Sequence, residues 1–255
     1  MVNLKIRDYV INDIEAVIFD KDGTLMDANI WWCEIIKRRA WAIVQKYHML
    51  FEDAHDIMFR MGWREGNKLS SSGPVGLMGR KEVIWHVRQY LRTRYELIVS
   101  NGELELLFDE IHSAFLRERH AFTKPLPGAI DLIKNLHARR VKIAIVTNDT
   151  ALNTEAFLRD YGIADAVDAV LGQENMSSAK DTGDPARRVL QALNVSFDRA
   201  LVIGDAPIDI RMAINCPVAA GIAVATGQTG AQDLIRFTPY VISSLTEISI
   251  GKEIV

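Results

Sequence analysis

Ala16-Val17-Ile18-Phe19-Asp20-Lys21-Asp22-Gly23-Thr24-Leu25-Met26-Asp27 is the stretch on which the fold turns. Four apolar residues stop at two carboxylates two positions apart, the pattern of a buried parallel-type strand ending in a loop, where open α/β sheets place their ligands. Asp and Gly are also common turn formers, so a strand-capping Asx/Gly turn competes for this segment taken alone. Two acids at a strand end suit a metal ion beside a phosphate. The choice depends on what the other strands deliver to the same edge.

Beyond Asp27 the rhythm changes. Trp31, Ile35, Ile36, Trp41, Val44 and Tyr47 recur at helical spacing with Lys37, Arg38, Arg39 and Lys46 among them, which predicts an amphipathic helix. Further helices are expected over 52–61, 80–95 and 103–120, so 28–122 reads as nearly all helical. At Lys124-Pro125-Leu126-Pro127-Gly128 this pattern ends. There follow helix 129–139, strand 141–147, helix 151–161, strand 166–171, helix 184–193, strand 200–205, helix 208–215 and strand 218–224. Alternation of this kind predicts a Rossmann-like parallel sheet with helices on both faces. The strand ending at Asp20 belongs to that sheet, so 28–122 is expected to be an all-helical insertion into one α/β domain made of 1–27 and 123–255. Residues 1–14 alternate weakly and predict a short lead-in strand or hairpin.

Composition narrows the function classes. The chain has 255 residues, 49% hydrophobic and 25% charged, with a net charge of −3, a balance that favours neither a nucleic-acid nor a membrane surface. Cys33 and Cys216 are the only cysteines, too few and too far apart in sequence for a disulfide framework or a thiolate metal site. Charged residues from Lys5 to Glu15 interrupt any signal-peptide core, and Pro217, Gly221, Gly227 and Gly230 break the uncharged run near the end. A cytoplasmic chain acting on small polar molecules is the expectation.

Four strand ends then supply candidates for one crevice: Asp20 and Asp22 after the first, Thr147-Asn148-Asp149 after the second, Lys180 after the third, and Asp205-Ala206-Pro207-Ile208-Asp209 after the fourth. Singly, Thr147 is an ordinary strand-end residue, Lys180 an ordinary surface lysine, and Asp205 or Asp209 an ordinary helix-start acid. In this joint order they resemble the haloacid dehalogenase-like superfamily, whose motifs are Asp-x-Asp-Gly-Thr, a strand-terminal Ser or Thr, a Lys, and Gly-Asp-x-x-x-Asp. The insertion directly after the first motif is similar to the helical cap of the phosphoglycolate phosphatase and β-phosphoglucomutase branch, and Tyr240-Val241-Ile242-Ser243-Ser244-Leu245 resembles the superfamily's closing strand.

The resemblance implies a Mg²⁺-dependent phosphatase acting on a small phosphorylated metabolite. Asp20 would be the nucleophile and Asp22 the general acid and base. Asp20, Asp205 and the backbone carbonyl of Asp22 would hold Mg²⁺, with Asp209 joining through water. Thr147, Lys180 and the backbone around Gly23, Thr24 and Asn148 would bind the phosphoryl oxygens. A phosphosugar mutase using the same residues is the alternative, and a silent phospholigand-binding module a more distant one. Two departures stand out: Lys21 replaces a residue more often apolar in the family, and the loop after Lys180 lacks the two prolines that commonly follow.

Other segments carry weaker signals. Gly73 to Lys81 has P-loop composition without P-loop spacing. His48 and His55 are seven apart, which does not fit a His-x-x-x-His metal site, and the five tryptophans of the insertion are expected to pack between helices. The Gly/Ser-rich stretch 70–79 leads into Arg80 and Lys81, two cations expected either to close on the non-transferred end of the substrate or simply to be solvated.

Overall fold

A computed structural model describes residues 1–71, 73–77 and 80–251. In chain order its elements are β1 (Val2–Ile6), β2 (Tyr9–Ile14), β3 (Ala16–Phe19), α1 (Ala28–Lys46), α2 (Asp53–Met61), β4 (Trp63–Arg64), β5 (Lys68–Leu69), α3 (Pro74–Leu77), α4 (Arg80–Tyr95) and α5 (Asn101–Leu116). Then come α6 (Ala129–Ala138), β6 (Lys142–Val146), α7 (Ala151–Asp160), β7 (Ala169–Leu171), α8 (Asp184–Ala192), β8 (Ala200–Gly204), α9 (Pro207–Asn215), β9 (Ala220–Val224), α10 (Ala231–Leu234), β10 (Val241–Ile242) and β11 (Ile248–Ile250). The chain divides into an α/β unit, Met1–Asp27 with Pro125–Val255, and a helical unit, Ala28–Lys124.

In the α/β unit a six-stranded sheet runs β10-β9-β8-β3-β6-β7, every pair parallel. All four residues of β3 are buried, as expected for a central strand covered on both faces. Its neighbours keep one register: Phe19 pairs with Ile145 of β6 and with Ile203 of β8. Because the strands are parallel and in step, the residues just beyond Phe19, Val146 and Gly204 emerge at one edge. Ala186, Val189 and Leu190 of α8 and Met212 and Ala213 of α9 pack with Ile18, Ala144 and Val202 in one apolar cluster. Each fully buried aliphatic side chain there is worth about 1.5–3 kcal/mol.

The lead-in is a hairpin, β1 with β2, and β11 pairs antiparallel with β1 to give a separate three-stranded sheet. Two expected strands are shorter than the sequence suggests. The segment 166–171 spends its start in a 3₁₀ turn and extends only at Ala169–Leu171. The closing strand 240–245 is confined to Val241–Ile242, because Ser244 begins a capped 3₁₀ turn at Leu245–Glu247.

In the helical unit α1 buries Ile36, Ala40, Ile43 and Val44 against Ile57 and Met61 of α2, Val87 and Leu91 of α4, and Leu104 and Phe108 of α5. Ser100 caps α5, its hydroxyl accepting from the Glu103 amide at 3.2 Å. That helix ends at Leu116, and a 3₁₀ turn at Arg119–Ala121 takes the rest of the expected 103–120 helix. The β4–β5 hairpin is an element the helical reading did not contain. Trp31 stacks edge-on against Phe115 with centroids 4.6 Å apart, and Trp32, Trp41 and Trp63 pack on the unit's core. Trp85, expected to pack between helices, is instead 54% exposed, since the buried positions of α4 are Val83, Ile84, Val87, Tyr90 and Leu91. Among the described residues no helix is long and apolar enough to cross a membrane.

Candidate active site

The loop after β3 is a compact turn. The Lys21 carbonyl accepts from the amides of Leu25 (2.8 Å) and Met26 (2.9 Å), and Gly23 donates to the Met26 carbonyl at 2.8 Å. Gly23 has φ +91°, a conformation costly for residues with a Cβ, and an added Cβ would lie 2.6 Å from the Asp205 carboxylate. Asp20 is 7% exposed and receives the Lys180 Nζ on Oδ1 at 2.5 Å. The same ammonium lies 2.6 Å from Asp209 Oδ1.

The partners of Asp20 come from two other strand ends. Lys180 opens the 3₁₀ turn Lys180–Thr182 that leads into α8. Asp205 follows β8, and Thr24 Oγ1 donates to its Oδ1 at 3.2 Å. Asp209 lies in the first turn of α9, where its Oδ2 accepts from the Ala206 amide at 3.0 Å. Asp20, Asp205 and Asp209, all buried, offer oxygens within 4.8 Å of one another.

The Asp22 carboxylate lies elsewhere in the loop, with the Lys21 Nζ 2.6 Å from its Oδ1. Thr147 is buried at the end of β6, its hydroxyl accepting from the Asp149 amide at 3.1 Å, while Asn148 is exposed. In the helical unit Arg80 pairs with Asp109 at 2.5 Å, and Lys81 is exposed. Of the preceding Gly/Ser-rich stretch, positions 72, 78 and 79 lie outside the described residues.

In the sequence Lys21 stands out only as a departure from the family pattern, and Gly227, Thr226 and Arg39 carry no site signal. Lys21 is 1% exposed and also pairs with Asp149 at 2.9 Å. Gly227, in the loop after β9, lies so close to Asp205 that a Cβ there would fall 1.7 Å from Oδ2. Thr226 beside it donates to the Gly23 carbonyl at 2.6 Å, which ties the two loops together. Arg39 is buried in the helical unit with its guanidinium 4.4 Å from the Phe108 ring centroid; burial, then the charge of Arg80, pushes its pKa down to about 9. A glycine followed by polar residues and a lysine inside a motif have no local periodicity that would flag them.

Electrostatically the α/β site is overloaded with acid. Burial, reinforced by Asp209 and Asp22 and opposed by Lys180, raises the Asp20 pKa to about 7. Burial, then Asp20 and Asp209, raises Asp205 well above the ordinary carboxylate range. Burial also raises Asp22 against the pull of Lys21. Buried oxygen donors whose ionised forms lack compensating positive charge fit a hard divalent cation such as Mg²⁺.

These shifts set a stability slope. Between pH 5.5 and 8 folded Asp20 loses a proton that the unfolded chain has already lost, so stability falls as pH rises through about 7. Glu247, held at about 2 chiefly by its hydrogen bond from Arg7, has ionised in both states by then and adds no slope. The metal-free protein should therefore be about 2 kcal/mol less stable at pH 8 than at pH 5.5 from Asp20 alone, and Mg²⁺ should raise the melting temperature more at pH 8. Thermal unfolding with chelator and with Mg²⁺ at both pH values checks this; a metal-free Tm that rises across the window would contradict it.

A family profile described as haloacid dehalogenase-like hydrolase matches residues 14–216. The chain is a haloacid dehalogenase-like hydrolase. It is 34% identical over 104 residues to a phosphoglycolate phosphatase of Rhodospirillum rubrum, an alignment covering 41% of this chain and 42% of that protein. Over 241 residues it is 22% identical to the pyrophosphatase PpaX of Halalkalibacterium halodurans, covering 92% and 95%. Its fold matches a subfamily IA hydrolase of the same superfamily from Geobacter sulfurreducens with a TM-score of 0.63 at 18% identity, covering 92% of this chain and 94% of that one.

Proposed function

We propose that this haloacid dehalogenase-like hydrolase is a Mg²⁺-dependent phosphatase that hydrolyses a small phosphomonoester through an aspartyl phosphate on Asp20. The observation that carries the reading is the buried Asp20 carboxylate with one oxygen on Lys180 and two further acids within 4.8 Å, a second acid following two residues later. Asp20, Asp205 and Asp209 would hold the ion, which when bound supplies positive charge to the phosphoryl oxygens.

In the first step an Asp20 oxygen bonds to phosphorus as the ester P–O bond breaks, and Asp22 gives its proton to the leaving alkoxide. In the second, Asp22 takes a proton from water as the water oxygen bonds to phosphorus and the bond to Asp20 breaks. Lys180, the Thr147 hydroxyl and backbone N–H groups near Gly23, Thr24 and Asn148 would balance the charge that gathers on the phosphoryl oxygens. A chain with only two cysteines, both buried, fits work in a reducing cytoplasm.

Hydrolysis rates across phosphorylated sugars, organic acids, nucleotides and pyrophosphate with Mg²⁺ test the proposal. Phosphate release from a small monoester, lost in Asp20→Asn, is the expected result; transfer to a second hydroxyl of a sugar phosphate without phosphate release would make the protein a mutase. We assign substrate selection to the helical unit, with Arg80 and Lys81 as contributors. Arg80→Ala should raise KM or reorder the best two substrates several-fold and leave Mg²⁺ affinity unchanged. Asp109→Asn, which breaks the Arg80 pair but keeps the guanidinium, should change the ranking less. Unaltered kcat/KM values in both Arg80→Ala and Lys81→Ala would place selectivity on other residues.

A further inference from the structure

We infer that Lys21 is a positioning residue for the proton-transfer step, clamping the Asp22 carboxylate against a fixed anchor at Asp149. The inference rests on the proposed role of Asp22 as general acid and base. Lys21 is 1% exposed, and burying an ammonium carries a strong desolvation penalty unless it is paired. It pairs with two acids: Nζ lies 2.6 Å from Asp22 Oδ1 and 2.9 Å from Asp149 Oδ2, among the contacts it makes.

Both ends of this bridge are held. On one side the Lys21 carbonyl accepts three amide bonds, from Thr24, Leu25 and Met26, that close the turn after β3. On the other, Asp149 Oδ1 accepts from the Thr150 amide (2.7 Å) and from Asn153 Nδ2 (2.9 Å). The Asp149 amide donates to Thr147, and its carbonyl accepts from Gln173 at 2.9 Å. Thr150 in turn caps α7 through the Asn153 amide. The anchor thus sits directly ahead of the N-cap of a helix, and Lys21 carries that rigidity across to the loop bearing Asp22.

The two buried lysines divide the work. Lys180 bridges Asp20 and Asp209, whereas Lys21 bridges Asp22 and Asp149. With Oδ1 held by the ammonium, Asp22 has Oδ2 left for the leaving-group oxygen. A general acid works only within hydrogen-bond reach of that oxygen, so a carboxylate free to rotate spends less time in the productive geometry. An alkoxide needs the proton as the P–O bond breaks, and a well-stabilised phenolate does not.

The test is kcat/KM across a series of phosphomonoesters from nitrophenyl to alkyl leaving groups, because this parameter reports the step in which the leaving group departs. Lys21→Met should lower kcat/KM for alkyl esters by about 100-fold, within the range of general acid catalysis, with a loss under about 5-fold for the nitrophenyl ester. The plot against leaving-group pKa should steepen, as it should also in Asp22→Asn. Lys21→Arg should restore part of the alkyl-ester rate, and Asp149→Leu should steepen the plot less than Lys21→Met. Should Lys21→Met fail to fold because the half-buried Asp149 loses its ammonium, the double variant Lys21→Met/Asp149→Leu removes both charges and gives the same readout. A loss equal for all esters, or no loss, overturns the inference while wild-type turnover and the Asp22→Asn steepening stand. Absence of Asp20-dependent turnover on every ester would instead overturn the phosphatase reading together with it.

Discussion

Asp20→Asn is expected to lower turnover by about three powers of ten or more while the protein remains folded. The amide is nearly isosteric with the carboxylate, and its oxygen can still accept from the Lys180 ammonium that now sits 2.5 Å from Oδ1. Its nitrogen is a poor nucleophile, so no phosphoryl group transfers to residue 20. The raised pKa of Asp20 adds a second expectation: a site that resists the buried charge should accept a neutral side chain without loss of stability. At pH 8 and without metal, Asp20→Asn should therefore melt at or above the wild-type temperature. Phosphate release within tenfold of wild type, from protein free of wild-type contamination, would remove Asp20 from the nucleophile's role.

Chelating divalent metal should take activity below about 1% of its value, and added Mg²⁺ should restore it. Three buried carboxylates share a small volume, and among the described residues Lys180 alone bridges two of them, so the donor set is short of positive charge. Ca²⁺ should bind and support turnover poorly, since its longer and looser coordination would shift the attacking carboxylate. The fold should survive chelation, because Lys180 keeps Asp20 and Asp209 together and the sheet core does not involve these acids. Asp205→Asn should raise the Mg²⁺ concentration needed for half-maximal rate. Full turnover in metal-free buffer would end this account of the site.

Much of the fold was legible because its signals are local. The four apolar residues before Asp20 form β3, and the strand–helix alternation after Gly128 gives the parallel sheet. Helix α4 runs over 80–95, as its apolar spacing predicts. The misses have local causes too. Ser244 and Glu247 favour a capped turn over continued extension, so β10 stops after two residues. The short β4–β5 hairpin has too few residues for a period to show.

Legible in contiguous stretches of the sequence are the strand–helix alternation that gives the parallel sheet and the identities of the acids and the lysine at four strand ends. Tertiary structure decided which of them meet. Register between parallel strands brings Asp20, Lys180, Asp205 and Asp209 together at one edge, and no local pattern encodes that pairing. The same holds for Lys21, whose neighbours in sequence suggest only a charge in a loop. Its burial against Asp22 and Asp149 follows from two loops meeting, and the close approach of Gly227 to Asp205 from a third. Chain spacing sets an element's type, but a buried charge is fixed by partners that arrive from elsewhere in the fold.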